Sequence, residues 1–216
     1  MKNLLTIDST FCVSELCELG KKYPTDKSPI NQGAGLHKHA YTAIYNLLFA
    51  HLKHKKINIA EIGILNNMSI NCFRKFFPKA VIHGYEYNTN LIENAKRFDL
   101  HDVSYVEINV CSKDNINSAF ENSKTTYDII IDDSTHQTQH QLNVIESCMS
   151  YLNSGGYMII EDLFKKVDTS IFESVLDNMP QVAHYVFINA NHEKRCSGNW
   201  DNDRLLVIIK GGDADS

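Results

Sequence analysis

Short β-branched runs alternate with longer amphipathic ones along most of the chain. Residues 57–63, 80–86, 103–108, 127–131, 157–160, 182–188 and 204–209 predict strands. Several are apolar for nearly their whole length, as a strand covered on both faces of a sheet must be. Helical spacing fills the gaps at 68–77, 91–98, 116–122, 139–152 and 171–179. In the fourth of these, Leu142, Ile145, Cys148, Met149 and Leu152 fall on one buried face. Alternating strands and helices imply right-handed βαβ units and a parallel sheet. Only a loop, 189–203, separates the last two strands, so they should form a hairpin that sets one antiparallel strand in the sheet. The expected fold class is therefore α/β: a Rossmann-like, mostly parallel sheet of about seven strands with a terminal antiparallel hairpin. Ahead of it, helical patterns at 14–22 and 39–52 flank a polar loop with Pro24, Pro29, Gly33 and Gly35. Residues 1–54 are taken as an N-terminal helical cap and 55–216 as the main domain, one structural unit. The small, acidic tail 211–216 is expected to fray.

In such a sheet, ligands bind beyond the carboxyl ends of the strands, where strand order reverses. The first turn runs Glu61-Ile-Gly63-Ile-Leu-Asn66-Asn67-Met-Ser69. Gly63 lets the backbone turn sharply against a ligand, and Ser69 or Asn67 is placed to cap the next helix. Asn66 and Asn67 stand where a G-x-G-x-x-G loop has glycines, and a plain strand–helix turn explains the segment equally well. The second strand ends at Glu86, 23 residues after Gly63, where an acid can accept hydrogen bonds from both ribose hydroxyls of an adenosine cofactor. At the end of the third strand, Asn109 is a polar side chain that can meet an adenine amino group.

Two further strands end in paired acids: Asp132-Asp133, followed by Ser-Thr-His136, and Glu161-Asp162. Neighbouring strands would bring these carboxyls together, and they would repel unless a cation neutralised them. A hard divalent ion with oxygen ligands, most naturally Mg²⁺, meets that need. Side chains alternate across a strand, so Asp133 and Asp162 are the expected metal ligands. Asp132 and Glu161 are left to hold backbone or cofactor groups. His136, three residues beyond Asp133, is positioned to take a proton from an acceptor hydroxyl.

Composition narrows the partners. The chain has 216 residues, 43% of them hydrophobic, and a formal net charge of -5. That is ample for a core and unlike the basic surface of a general nucleic-acid binder. No membrane partner is expected, because no apolar run approaches the ~18 residues of a membrane span, and residues 1–7 are too short and polar for a signal peptide. Six scattered cysteines without a C-x-x-C pair are expected to be reduced thiols in a cytoplasmic protein. A homo-oligomer is compatible with all of this.

At the acidic strand ends the chain resembles a known family. Asp132-Asp133-Ser-Thr-His136, the long helix, Ser154-Gly155-Gly156-Tyr157 and Glu161-Asp162-Leu163 look like the D-D-x-x-H … G-G … E-D-L run of class I S-adenosylmethionine-dependent methyltransferases. The branch is that of the metal-dependent sugar O-methyltransferases of macrolide and polysaccharide biosynthesis. Tyr23-Pro-Thr25-Asp26-Lys27 is similar to that branch's Y-G-T-D-K loop, with His39, Tyr41 and Tyr45 following it. The resemblance spans roughly residues 15–165. It implies Asp133 and Asp162 as metal ligands, Glu61 as a third, His136 as general base and Glu86 as the ribose acid. It also implies that Asp26 and Lys27 sit in a lid closing over cofactor and acceptor. The cofactor set is then Glu61, Gly63, Asn66, Ser69, Glu86, Asn109, Asp132, Asp26 and Lys27. The implied activity is Mg²⁺-assisted transfer of the methyl group of S-adenosylmethionine to a sugar or saccharide-containing small molecule. The alternatives are metal-independent N-methylation of a small amide or amine, and a non-catalytic nucleotide-binding module. Pro24 in place of the loop glycine and the thinned glycine turn depart from the family pattern, and the acceptor-binding end beyond Asp162 carries no recognisable motif.

Overall fold

A computed structural model describes residues 3–33, 37–198 and 200–212. Gly35 and most of the acidic tail, expected above in a loop and a frayed end, lie outside the described residues. The elements run β1 (Leu4–Asp8), α1 (Glu15–Lys22), α2 (Tyr41–Phe49), β2 (Asn58–Ile62), α3 (Met68–Phe76), β3 (Val81–Glu86), α4 (Thr89–Lys96), β4 (Val103–Glu107), α5 (Lys113–Ser123), β5 (Tyr127–Asp132), α6 (Thr138–Cys148), β6 (Leu152–Ile160), α7 (Ser170–Leu176), β7 (Val182–Asn191) and β8 (Arg204–Lys210). Short 3-10 turns extend α2 and α6 at 50–52 and 149–151.

The strands make one eight-stranded sheet in the order β1-β7-β8-β6-β5-β2-β3-β4. β8 is antiparallel to both β6 and β7, whereas the remaining pairs are parallel. The hairpin thus inserts its second strand between β6 and β7. The eighth strand, β1, was not expected: it adds the edge beyond β7, pairing Leu4 with Phe187 through to Asp8 with Asn191. Residues before 55 therefore supply an edge strand as well as helices.

The apolar strands are explained by two cores, one on each face. Within β5, Ile130 joins one cluster while Ile129 and Ile131 join the other, and Met158, Ile160 against Ile159 divide the same way in β6. Helices α5, α6 and α7 cover the first face with Phe120, Ile145 and Phe172. Helices α1 to α4 cover the second, with Leu16, Tyr45, Phe73 and Ala95. A period-2 pattern with both faces buried is what a continuous apolar run produces. The Asn153–Gly156 stretch, just ahead of the expected strand at 157–160, forms the irregular first half of β6, with a register shift against β5 between Tyr127 and Ile129. No described helix is long and apolar enough to cross a membrane, and all six cysteines are free.

Candidate functional site

Strand order reverses at β2, which pairs with β3 on one side and β5 on the other. Beyond the carboxyl ends of the central strands lies a cavity of about 480 Å³, lined in part by Gly63, Glu86, Ile108, Asp133, His136 and Asp162. That is within the usual size of a small-molecule site. A second cavity of about 400 Å³ adjoins it beneath the Thr25–Lys27 loop and shares Asp26, Gly63 and Asp133. Gly63 is demanded by the local geometry. Its φ is +88°, and a Cβ would stand 2.2 Å from the carbonyl oxygen of Asp133, because the Asp133 amide is bound to Ile62 O at 2.8 Å. Only glycine accepts both that conformation and that approach. Three residues lining the cavity, Leu65, His136 and Asp162, also hold positive φ. Strain of this kind concentrates at functional sites.

Lys27 is the electrostatic centre of the acid cluster. It is only 3% exposed, and its ammonium donates to Asp133 and, at 2.8 Å, to Glu161 Oε2, with Glu61 Oε1 at 3.4 Å. Burial alone would push the ammonium pKa down, but Asp133, Glu161 and Glu61 together hold it well above its ordinary value. The loop is fixed by its backbone too: Lys27 O accepts from the amides of Tyr41 and Thr42 at the start of α2. Two tyrosines one helical turn apart then bind the acids at the end of β6. Tyr45 donates to Glu161 Oε1 and Tyr41 to Asp162 Oδ1, both at 2.5 Å. Burial pushes both phenols well up, so they act as neutral donors.

Burial dominates the carboxyls. It raises Glu61 to about 7 against the opposing pull of Lys27 and Ser69. It raises Asp132 to about 6 despite hydrogen bonds from the Ser134 amide and hydroxyl. Asp133 is raised by burial, opposed by Lys27 and reinforced by Asp162. On the cavity side, Asp133, His136 and Asp162 offer donor atoms all within 4.8 Å of one another. His136 Nε2 is 3.6 Å from Asp162 Oδ2, and Nδ1 is 4.0 Å from Asp133 Oδ1. That Nδ1 is buried without a hydrogen-bond partner among the described residues. Two carboxylates converging in this way suit a hard divalent cation, with the imidazole beside them.

No family model matches the chain. Two curated relatives from Streptomyces olivaceus are similar to it. One is 8-demethyl-8-(2-methoxy-alpha-L-rhamnosyl)-tetracenomycin-C 3'-O-methyltransferase, 26% identical over 137 residues. The other is 8-demethyl-8-alpha-L-rhamnosyl tetracenomycin-C 2'-O-methyltransferase, 24% identical over 132 residues. Each match covers 58% of this chain, and the chain spans only 33% of either relative's length. Among solved structures, MycE methyltransferase from the mycinamycin biosynthetic pathway, in complex with Mg, SAH and mycinamycin VI, superposes with a TM-score of 0.70 at 16% identity, covering 95% of this chain and 57% of MycE. A putative caffeoyl-CoA O-methyltransferase from Staphylococcus aureus gives 0.60 at 19% identity, covering 94% of this chain and 95% of that one. The chain has the class I methyltransferase fold.

Within that fold the expected site residues separate into those that meet and those that do not. Gly63, Glu86, Asp26, Asp133, His136 and Asp162 share the larger cavity. Asn66, Ser69 and Lys27 line the smaller one. Glu86 holds the ends of two loops, accepting from the Ile64 amide at 3.2 Å and the Asn88 amide at 2.9 Å. Asn109 does not line the cavity: its Oδ1 accepts from the Cys111 amide in its own loop, and Ile108 and Val110 line the cavity instead. Glu61, expected as a third metal ligand, is fully buried against Lys27 and Ser69 and stands outside the Asp133–His136–Asp162 group. Asp132 is likewise buried, bound to its own loop. Lys27 is an interior counter-charge, where a lid residue was expected. Asn67 is the N-cap residue of α3, in left-handed backbone, but its side chain makes no capping bond and donates to the Tyr105 hydroxyl instead, while Ser69 donates to Glu61. Sequence reasoning missed the network behind Asp162, where His39 Nδ1 lies 3.0 Å from Asp203, which also accepts from Arg195 and Ser197. The Asp201-Asn-Asp203 cluster just before β8 was the available signal.

Proposed function

We propose that this chain is an S-adenosylmethionine-dependent O-methyltransferase acting on a hydroxyl of a sugar or saccharide-containing small molecule, with Mg²⁺ as a second cofactor. The observation that carries the reading is the placing of Glu86 and the Asp133–His136–Asp162 group on one cavity at the strand-order switch. Glu86 suits the ribose of the cofactor, and the apolar Ile108 and Val110 suit the flank of an adenine. The rhamnosyl-directed O-methyltransferases and the Mg- and SAH-containing neighbour support the reaction class.

The sulfonium methyl is electrophilic already, so the protein's main task is to align it with the attacking oxygen. Asp133 and Asp162 would hold the Mg²⁺, which supplies positive charge beside the oxygen that loses its proton. Tyr41 fixes one oxygen of Asp162, and Lys27 fixes one of Asp133, so each carboxylate presents its other oxygen in a set direction. His136 is assigned the proton: its Nδ1 is buried, leaving Nε2 as the nitrogen that takes it from the acceptor hydroxyl.

The test is calorimetric titration of the protein with S-adenosylhomocysteine, in Mg²⁺ and then in EDTA. Binding in both conditions supports the reading and assigns the metal to the acceptor step. No binding in either sinks it, and leaves the non-catalytic module in its place.

A further inference from the structure

Beyond Asp162 the sequence shows no motif, yet the structure puts two residues of the β7–β8 loop at the same cavity. Trp200 is the chain's one tryptophan and is 48% exposed. A single exposed aromatic is ordinary on a protein surface. This one lines the larger cavity, its ring 6.5 Å from that of His136, with His37 edge-on at 5.6 Å and Phe164 tilted against it at 5.9 Å. Asn202, two residues on, is 1% exposed and lines the cavity too. Its Oδ1 is buried with no hydrogen-bond partner among the described residues. A buried amide oxygen left without a donor is costly unless a ligand supplies one.

Bonds on the β8 side of Trp200 hold the loop's end in place. Lys165 is stapled to Asp201 twice, amide to carbonyl at 2.8 Å and ammonium to carboxylate at 2.7 Å, and the Leu163 amide donates to Arg204 O at 3.0 Å. These bonds tie Trp200 and Asn202 to the segment that carries Asp162. Asp203, fully buried, anchors the far side through His39, Arg195 and Ser197.

We propose that Trp200 and Asn202 form the acceptor subsite and select a pyranose ring: the indole receives the ring's C–H face while the Asn202 amide oxygen accepts from a hydroxyl near the one presented to His136. This rests on the sugar O-methyltransferase reading above. An indole offers a large flat apolar surface at low entropic cost, and an apolar wall with one placed polar group is the usual composition of a selective site. A ring stacked there lies beside His136 and Asp162, which is where a reacting hydroxyl is needed.

Because Trp200 is the sole indole, its fluorescence reports the subsite directly. The protein, saturated with S-adenosylhomocysteine and Mg²⁺, is titrated with methyl α-L-rhamnopyranoside, and in parallel with sorbitol, which carries hydroxyls but no ring. A saturable change with the glycoside and none with sorbitol supports the proposal. In a ligand-observed NMR titration, Trp200→Ala should weaken glycoside binding about tenfold, and Trp200→Phe should restore most of it. Asn202→Ala should weaken it to a similar degree, with S-adenosylhomocysteine affinity and melting temperature unmoved in the Trp200 variants. No fluorescence response to the glycoside, or the same response to sorbitol, overturns the subsite while the cofactor reading stands. Failure to bind S-adenosylhomocysteine is the separate outcome that removes the underlying function.

Discussion

Lys27→Met is the substitution that asks most of the charge assignment. Methionine keeps an unbranched apolar stem, so the variant removes the ammonium with little loss of packing. Two carboxylates that are essentially unexposed, Glu61 and Glu161, then lose their counter-charge, and Asp133 loses its partner at the cavity. Removing one member of a buried ion pair costs about 3–5 kcal/mol, chiefly because the partner stays buried and uncompensated. At roughly 2–4 °C per kcal/mol for a chain of this size, the melting temperature should fall by roughly 6–20 °C.

The loss should depend on pH in a definite direction. Lys27 has a raised folded pKa, so its contribution is fully present below the ordinary 10.5 and constant across the acid and neutral range. Glu61 has a folded pKa of about 7 against an ordinary 4.5 even with Lys27 beside it. Without that ammonium it rises further. Both folded proteins hold on Glu61 a proton that the unfolded chain releases, so both lose stability as pH climbs from 4.5 through 7; the variant goes on losing it above 7, where Glu61 beside Lys27 has already ionised. Urea unfolding of both proteins below about 7 and again well above it measures this. The penalty should be level below about 7 and grow above it, so that it is larger at the alkaline end. A penalty under about 1 kcal/mol, the size of an exposed pair, or one equal at both ends would refute the buried counter-charge.

Three other substitutions probe the rest of the site. Gly63→Ala should destabilise by more than about 3 kcal/mol in urea, since the backbone at φ +88° admits no Cβ and Asp133 O would be 2.2 Å from it. Glu86→Gln should weaken S-adenosylhomocysteine binding by calorimetry about tenfold or more, the worth of a charged hydrogen bond. An unchanged affinity would move the ribose elsewhere. Asp162→Asn should abolish the Mg²⁺-induced rise in melting temperature and lower methyl transfer by more than about tenfold, with S-adenosylhomocysteine binding nearly intact.

Much of the fold was legible because its signal is local. Alternating apolar runs and amphipathic stretches mark β2 to β8 and α3 to α7, and most boundaries lie within a few residues of an observed one, the start of β6 at Leu152 being the exception. β1 was not legible: five residues with Leu5 more than half exposed carry no periodicity, and their partner strand lies some 180 residues away. The acids at the strand ends were readable, since strand termini in a parallel sheet share one edge. Their neutralisation was not. Lys27 stands in a polar loop 106 residues before Asp133, where a lysine looks like a solvated side chain, and only the packing of α2 over the sheet turns it inward. Trp200 and Asn202 were invisible for a similar reason: a loop's sequence says nothing about which cavity it overhangs.

Lys27 divides the carboxyls into two sets, and this explains why one divalent ion would suffice for so acidic a site. Glu61 and Glu161 face inward: Glu161 accepts from the ammonium and Tyr45, and Glu61 accepts from Ser69 and pairs with the ammonium by charge. Asp133 gives Oδ2 to Lys27 and turns Oδ1 toward His136, while Asp162 gives Oδ1 to Tyr41 and turns Oδ2 the same way. The oxygens left facing the cavity are thus one from each of two acids, a demand that a single Mg²⁺ with retained waters can meet. The inner set belongs to the stability of the protein and the outer set to its ligand. Losing Lys27 and losing Asp162 should therefore leave different signatures. The first should lower the stability of the ligand-free protein steeply, and the second should act mainly on Mg²⁺ binding and transfer. If both variants lost stability alike, with the same pH dependence, the acids would form one undivided cluster and the cation site would have no separate identity.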